Sequence, residues 1–218
     1  MKNNILTIIL TLFLFTVANS QITEGHISYT IVSSTKNPEM EMFLSMMDSS
    51  KMEVYFTKDK TSAKMTMGML MTVTTITDSK LNEMLMLMEG NGEKRAVKSP
   101  IQVANKDSIK NKIVLFDETK IIQNYVCKKA IITDSLGISS IYWYTSQISA
   151  SLEGQSYFNS LIPGFPLEYE IINGDLKMIL TATNIENKIS KDKLKLIFKL
   201  DVPSDYTVVT IEELKEME

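Results

Sequence analysis

A chain of 218 residues, 44% of them hydrophobic, is long enough to build one domain around a sizeable core. Its formal charge of −3 argues against a nucleic-acid binder and against a basic membrane patch. A single Cys excludes an internal disulfide, so stability has to come from the core.

Lys2, the apolar run Ile5–Val17 and Ala18-Asn19-Ser20 have the layout of a secretory signal peptide, with cleavage expected after Ser20. The run is short for a bilayer span, and no other long apolar run follows. Residues 21–218 are therefore expected as one exported domain, periplasmic or secreted, without a transmembrane segment. Gly25–Ser34 alternates Ile27, Tyr29 and Ile31 with polar neighbours and predicts a strand. The period changes at Pro38–Ser50. Met40, Phe43, Met46 and Met47 fall on one helical stripe, Asn37 suits the cap and Pro38 the first turn. A strand is expected over Lys51–Asp59.

Twelve of the 15 methionines lie between Met40 and Met88. Met65, Met67, Met69 and Met71 alternate, as do Met84, Met86 and Met88, which is the strand period. Thr77-Asp78-Ser79-Lys80 is the expected turn of a hairpin between them. A two-residue turn sets Met71 opposite Met86, Met69 opposite Met88 and Val73 opposite Met84. A four-residue loop shifts the pairing and keeps the shared face. Leu70, Ile76, Leu85 and Leu87 occupy the other face, so both faces need cover.

Beyond the hairpin, Glu93–Lys98 is a strand and Ser99–Lys112 a long polar loop. Ile113–Phe116, Ile121–Thr133 and Ile138–Ser146 are further strands, with a turn at Asp134–Gly137. Gln147–Leu161 has loosely helical spacing that Gly154 weakens, and Ile162–Pro166 is a rigid loop. Leu167–Ile172 and Leu176–Ile185 form a hairpin over Asn173-Gly174. Lys193–Val202 alternates Leu194, Leu196, Phe198, Leu200 and Val202 as a last strand. Thr210 and Glu213 make a capping box for a terminal helix. The fold expected is mainly β: a single curled antiparallel sheet, an incomplete β-barrel of about eleven strands with short covering helices.

The strings TKIIQNYVCKKAII (Thr119–Ile132), IYWYTS (Ile141–Ser146), IPGFPLEYEI (Ile162–Ile171) and VPSDYTVVTIEEL (Val202–Leu214) resemble a family of exported Bacteroidota-type proteins with a domain of unknown function. That family carries a Gly where Asn124 stands here. The order of elements is also similar to the half-barrel of the periplasmic lipoprotein carriers, in which a curved sheet holds acyl chains under a helical lid. The first resemblance implies no activity. The second implies an apolar pocket.

Catalytic chemistry finds little support. His26, the only histidine, is expected as an exposed residue at a strand start. Glu168 and Glu170 share a strand face as solvated carboxylates, and no nucleophile elbow, phosphate loop or His/Cys metal cluster occurs. Cys127 is expected as a buried thiol. No cofactor, no metal and no nucleic acid is expected. The favoured reading is a non-enzymatic protein that binds or carries an apolar small molecule, a lipid or a lipoprotein acyl chain. Its ligand site would be Met40, Phe43, Met46, Met47, Met65, Met67, Met69, Met71, Met84, Met86 and Met88, since Met suits adaptable apolar surfaces. The alternatives are a ligand-free structural module of the envelope and a copper protein using its soft thioethers.

Overall fold

A computed structural model describes residues 21–101 and 111–216. The signal peptide expected at 1–20 and most of the polar loop expected at 99–112 lie outside the described residues. Twelve strands form one sheet. They are β1 (Gly25–Thr35), β2 (Lys51–Phe56), β3 (Lys60–Met67), β4 (Met71–Asp78), β5 (Glu83–Gly90), β6 (Glu93–Pro100), β7 (Lys112–Ile122), β8 (Tyr125–Thr133), β9 (Ser139–Thr145), β10 (Phe165–Asn173), β11 (Leu176–Glu186) and β12 (Thr207–Val208). Their order is β12-β6-β5-β4-β3-β2-β1-β11-β10-β9-β8-β7. The sheet is curled and does not close. Two runs of sequential antiparallel strands meet at the β1–β11 ladder, and β12 joins the edge of β6 in parallel. This is the fold class expected from the sequence.

Among the described residues three short α-helices accompany the sheet: α1 (Glu41–Met46), α2 (Lys191–Ile197) and α3 (Ile211–Lys215). A 3-10 turn over Pro38–Met40 leads into α1, and the Asn37 side chain accepts from the Glu39 N–H. At α3 the capping box is complete. Thr210 Oγ1 accepts from Glu213 N–H at 3.1 Å, and Glu213 Oε2 accepts from Thr210 N–H at 2.7 Å.

The core fills the inner face. Ile27, Met52, Val54, Phe56, Ala63, Met65, Leu167 and Leu180 are buried there. An aromatic cluster ties the two halves together. Tyr169 stacks on Tyr142 at 5.6 Å and meets Tyr29 edge-on at 6.2 Å, while Phe158 lies 5.5 Å from Phe165. Such arrangements satisfy the ring quadrupoles as well as burying area. The Tyr29 hydroxyl donates to the Pro166 carbonyl at 2.7 Å, so this buried phenol is not left unpaired.

Four expectations need correction. Lys193–Val202 is not a strand, because its first half is α2. Ser190 Oγ caps that helix by accepting from Lys193 N–H. Leu194 and Ile197, three apart, fit the helical period as well as the Leu residues fit the strand period. The alternation becomes real at Phe198. Phe198, Leu200 and Val202 pack with Tyr206 on the outer face against Ile76, Leu85, Leu87 and Ala96. Ile121–Thr133 is not one strand either. It turns at Gln123-Asn124, with φ of 48° and 67°. Asn124 thus stands where the backbone is left-handed, a conformation Asn tolerates better than most residues. Gln147–Leu161 forms no helix and is an irregular segment, with Gly154 at φ +73°. The β10–β11 turn is Gly174-Asp175, one residue later than expected, since Asn173 pairs with Leu176.

Candidate functional site

The methionine stretch holds three strands rather than two. Gly68-Met69-Leu70 turns the chain between β3 and β4. Ser79–Asn82 turns it again, so that Asp78 pairs with Glu83 across a four-residue loop. Met84 therefore faces Thr77, Met86 faces Thr75, Met88 faces Val73 and Met71 faces Gly90. The pairs Met71/Met86, Met69/Met88 and Val73/Met84 do not form. The shared face does, because the longer loop preserves parity. Met65, Met67, Met71, Met84, Met86 and Met88 all belong to the inner set by register. Directly opposed methionines occur at Met52/Met65 and Met67/Met71. Met69 leaves this set altogether. It sits at the tip of the first turn, 85% exposed.

The helical stripe divides as well. Met47 is buried in the core, Met40 is half-buried, and Phe43 and Met46 are exposed at 40% and 39%. The end of α1 is fixed by the Gly68 turn, where Met69 N–H donates to the Met46 carbonyl at 3.0 Å. Met47 thus plugs one part of the inner face.

A cavity of about 760 Å³ opens at another part. Its sheet wall is Met84, Met86 and Val97. Val97 is the direct partner of Met86 on β6. The opposite wall is the segment Ser146–Phe165, with Ile148, Leu152, Phe158, Ile162 and Phe165 among the apolar lining. Ile211 and Leu214 of α3 close a third side. Of the expected ligand residues, Met84 and Met86 line this space. The loop Ile162–Pro166 contributes Ile162, Pro163 and Phe165. Val97, Ile211 and Leu214 were missed. The i, i+3 spacing of the last two behind a capping box was a usable amphipathic signal.

Polar bonds hold the irregular wall in place. Ile22 N–H donates to Gln147 O and Ser149 N–H to Ile22 O, both at 2.8 Å. Thr61 Oγ1 donates to Ser151 O at 2.5 Å. Gln155 is 3% exposed, and its Nε2 reaches Thr61 O, Thr75 O and Thr77 Oγ1 at 3.2, 3.3 and 3.1 Å. Gly154 permits this approach. A Cβ there would come within 3.1 Å of Thr77 and 3.2 Å of Ile101.

The remaining chemical candidates are structural. His26 is not exposed. It is 7% exposed within β1, stacks on Tyr55 at 4.1 Å and shares a 2.6 Å hydrogen bond with Glu53. The reason is that β1 runs through the middle of the sheet, flanked by β2 and β11. Glu168 pairs with Lys120 at 2.7 Å and Glu170 with Lys177 at 2.6 Å, so each carboxylate has its own cation. Cys127 is fully buried, and burial pushes its thiol up to about 12. No group of three or more His, Cys, Asp or Glu side chains placed to hold a metal occurs among the described residues. No helix among the described residues is long and apolar enough to cross a membrane.

No protein-family model matches the chain, and no curated protein matches it. Among solved structures, a LolA superfamily protein from Nitrosomonas europaea is 11% identical, with 79% of this chain and 90% of that one covered, at a TM-score of 0.33. LprF from Mycobacterium bovis is 10% identical over the same shares, also at 0.33. Likeness of that extent assigns no ligand and no partner to this chain.

Proposed function

We propose that this protein is a non-enzymatic, exported binder or carrier of an apolar chain, a lipid or a lipoprotein acyl group. The chain would lie in the cavity between Met84, Met86 and Val97, the Ser146–Phe165 segment and α3. The observation that carries the reading is the cavity itself. Its volume of about 760 Å³ falls in the range of small-molecule sites. Its walls are mainly aliphatic, aromatic and thioether side chains. Unbranched thioethers adapt to varied shapes, which suits a site for flexible acyl chains. Export rests on the Lys2–Ser20 segment of the sequence.

A fluorescent fatty-acid probe tests the reading. The wild-type protein should bind it, and Met86→Asp should lower affinity more than about tenfold by setting a charge in the apolar wall. Met69→Asp, on the exposed turn, should bind as wild type. A wild-type protein that binds no such probe would leave the ligand-free structural module as the reading to pursue.

A further inference from the structure

Gln155 is placed with unusual economy. Both of its amide hydrogens point at the strands, toward Thr61 O, Thr75 O and Thr77 Oγ1. Two of those partners are backbone carbonyls, which only accept. The orientation of the amide is thereby fixed, and Oε1 must face the other way. Gln155 lines the cavity, and Oε1 is buried with no hydrogen-bond partner among the described residues. A second buried oxygen in the same position of need is Thr75 Oγ1. Thr75 is the direct cross-strand partner of Met86, and its own carbonyl is one of those that Gln155 holds. Beside the apolar sheet wall of Met84, Met86 and Val97 there are therefore one pure acceptor and one hydroxyl without partners among the described residues. Unpaired polar atoms at such depth are costly and uncommon.

From this pair we infer that the ligand is a hydroxylated acyl chain whose hydroxyl is held between Thr75 and Gln155. A hydroxyl donates one hydrogen bond and accepts others. It can donate to Gln155 Oε1 and accept from Thr75 Oγ1, satisfying both atoms at once. A plain alkyl chain supplies neither bond. A carboxylate only accepts and is repelled by Oε1, so the acid head belongs elsewhere and the hydroxyl on the chain belongs here. Gln155 belongs to the lining and Thr75 does not; the flexible thioether of Met86, directly across from Thr75, is the group that yields to admit the ligand hydroxyl. The inference rests on the acyl-binding function proposed above.

The test is displacement of the fluorescent fatty-acid probe by stearic acid and by its monohydroxylated positional isomers. At least one isomer should compete about tenfold better than stearic acid, the worth of one well-made buried hydrogen bond. Thr75→Val, nearly isosteric, should erase that advantage and leave stearic acid binding as before. Gln155→Leu should do the same if its melting temperature stays near wild type; if that variant unfolds, Thr75→Val decides. Isomers that all compete no better than stearic acid would overturn the inference while the acyl-binding function stands. An advantage that survives Thr75→Val would overturn it too. Absence of any probe binding by the wild type would remove both.

Discussion

Asp78 closes β4 with three partners and a buried carboxylate. Its Oδ1 accepts from Lys80 N–H at 3.0 Å and Leu81 N–H at 3.2 Å, and Oδ2 meets Lys60 Nζ at 2.8 Å. Burial pushes this carboxyl up, but Lys60 and the two amides together outweigh it, and the group ionises below its ordinary value. A carboxyl depressed on folding stabilises the protein above its unfolded value, near about 3.9, and that stability is lost as pH falls through the lower folded value. Urea midpoints should therefore drop on acidification below about pH 4, and Asp78→Asn should flatten that part of the curve. At neutral pH the same variant should cost roughly 1.5–3 kcal/mol, as for hydrogen bonds to a charged group. Cys127 gives a second expectation at this scale. A thiol pushed up to about 12 by burial holds almost no thiolate at neutral pH. A thiol reagent should label it only in denaturant; rapid labelling of the folded protein would contradict its buried position on the inner side of β8.

Elements were legible where local chemistry decided them. The Asn37-Pro38 start of the 3-10 turn that leads into α1 and the Thr210/Glu213 box of α3 were readable because caps are short-range hydrogen bonds. The parity of the methionine rows was readable because a strand side chain can only point to one of two faces. The break at Gly68 was not, since alternation runs unbroken through Met65, Met67, Met69 and Met71. What breaks it is a tertiary contact. Gly68 has φ +50°, and a Cβ there would lie 2.0 Å from the Met46 carbonyl oxygen and 2.8 Å from Met47 Cα. The turn is therefore built to receive the backbone end of α1. Gly68→Ala should lower stability by more than the roughly 1 kcal/mol of a left-handed alanine alone, because backbone has to move as well. A thermal melt within error of wild type would mean that α1 does not dock there. The α2 error is of another kind, since Ser190 caps that helix locally and its apolar residues fit both periods. Leu194 and Leu196 match the strand period, yet Leu196 is 69% exposed, and the segment that pairs with the edge of β6 is β12, further along the chain.

At the scale of the molecule, composition and strand count sufficed for a curled mainly β domain, since only a few layer arrangements bury so many short strands. The cavity was less legible. Its sheet wall was among the residues expected, but its other walls come from an irregular segment and from a terminal helix far along the chain. No periodicity reports where such pieces fold back. The C-terminal segment links the two faces. After β11 it lays Phe198, Leu200, Val202 and Tyr206 on the outer face, bonds Tyr206 Oη to Glu89 at 2.5 Å, and pairs β12 with β6. It then places Ile211 and Leu214 of α3 against the cavity on the inner face. One segment thus clasps the edge of the sheet, and its two halves have separable roles. Phe198→Ala removes a partly buried ring from the outer cluster and should cost about 2 kcal/mol, a fall in melting temperature of about 4–8 °C for a domain of this size. Probe affinity should change little at temperatures where that variant is folded. Leu214→Asp sets a charge at the cavity and leaves the outer cluster intact, so it should weaken probe binding with a small change in melting temperature. The contrast is what the clasp requires. If Leu214→Asp instead lowered the melting temperature as much as Phe198→Ala and left affinity unchanged, α3 would be a structural cover and not a wall of the site.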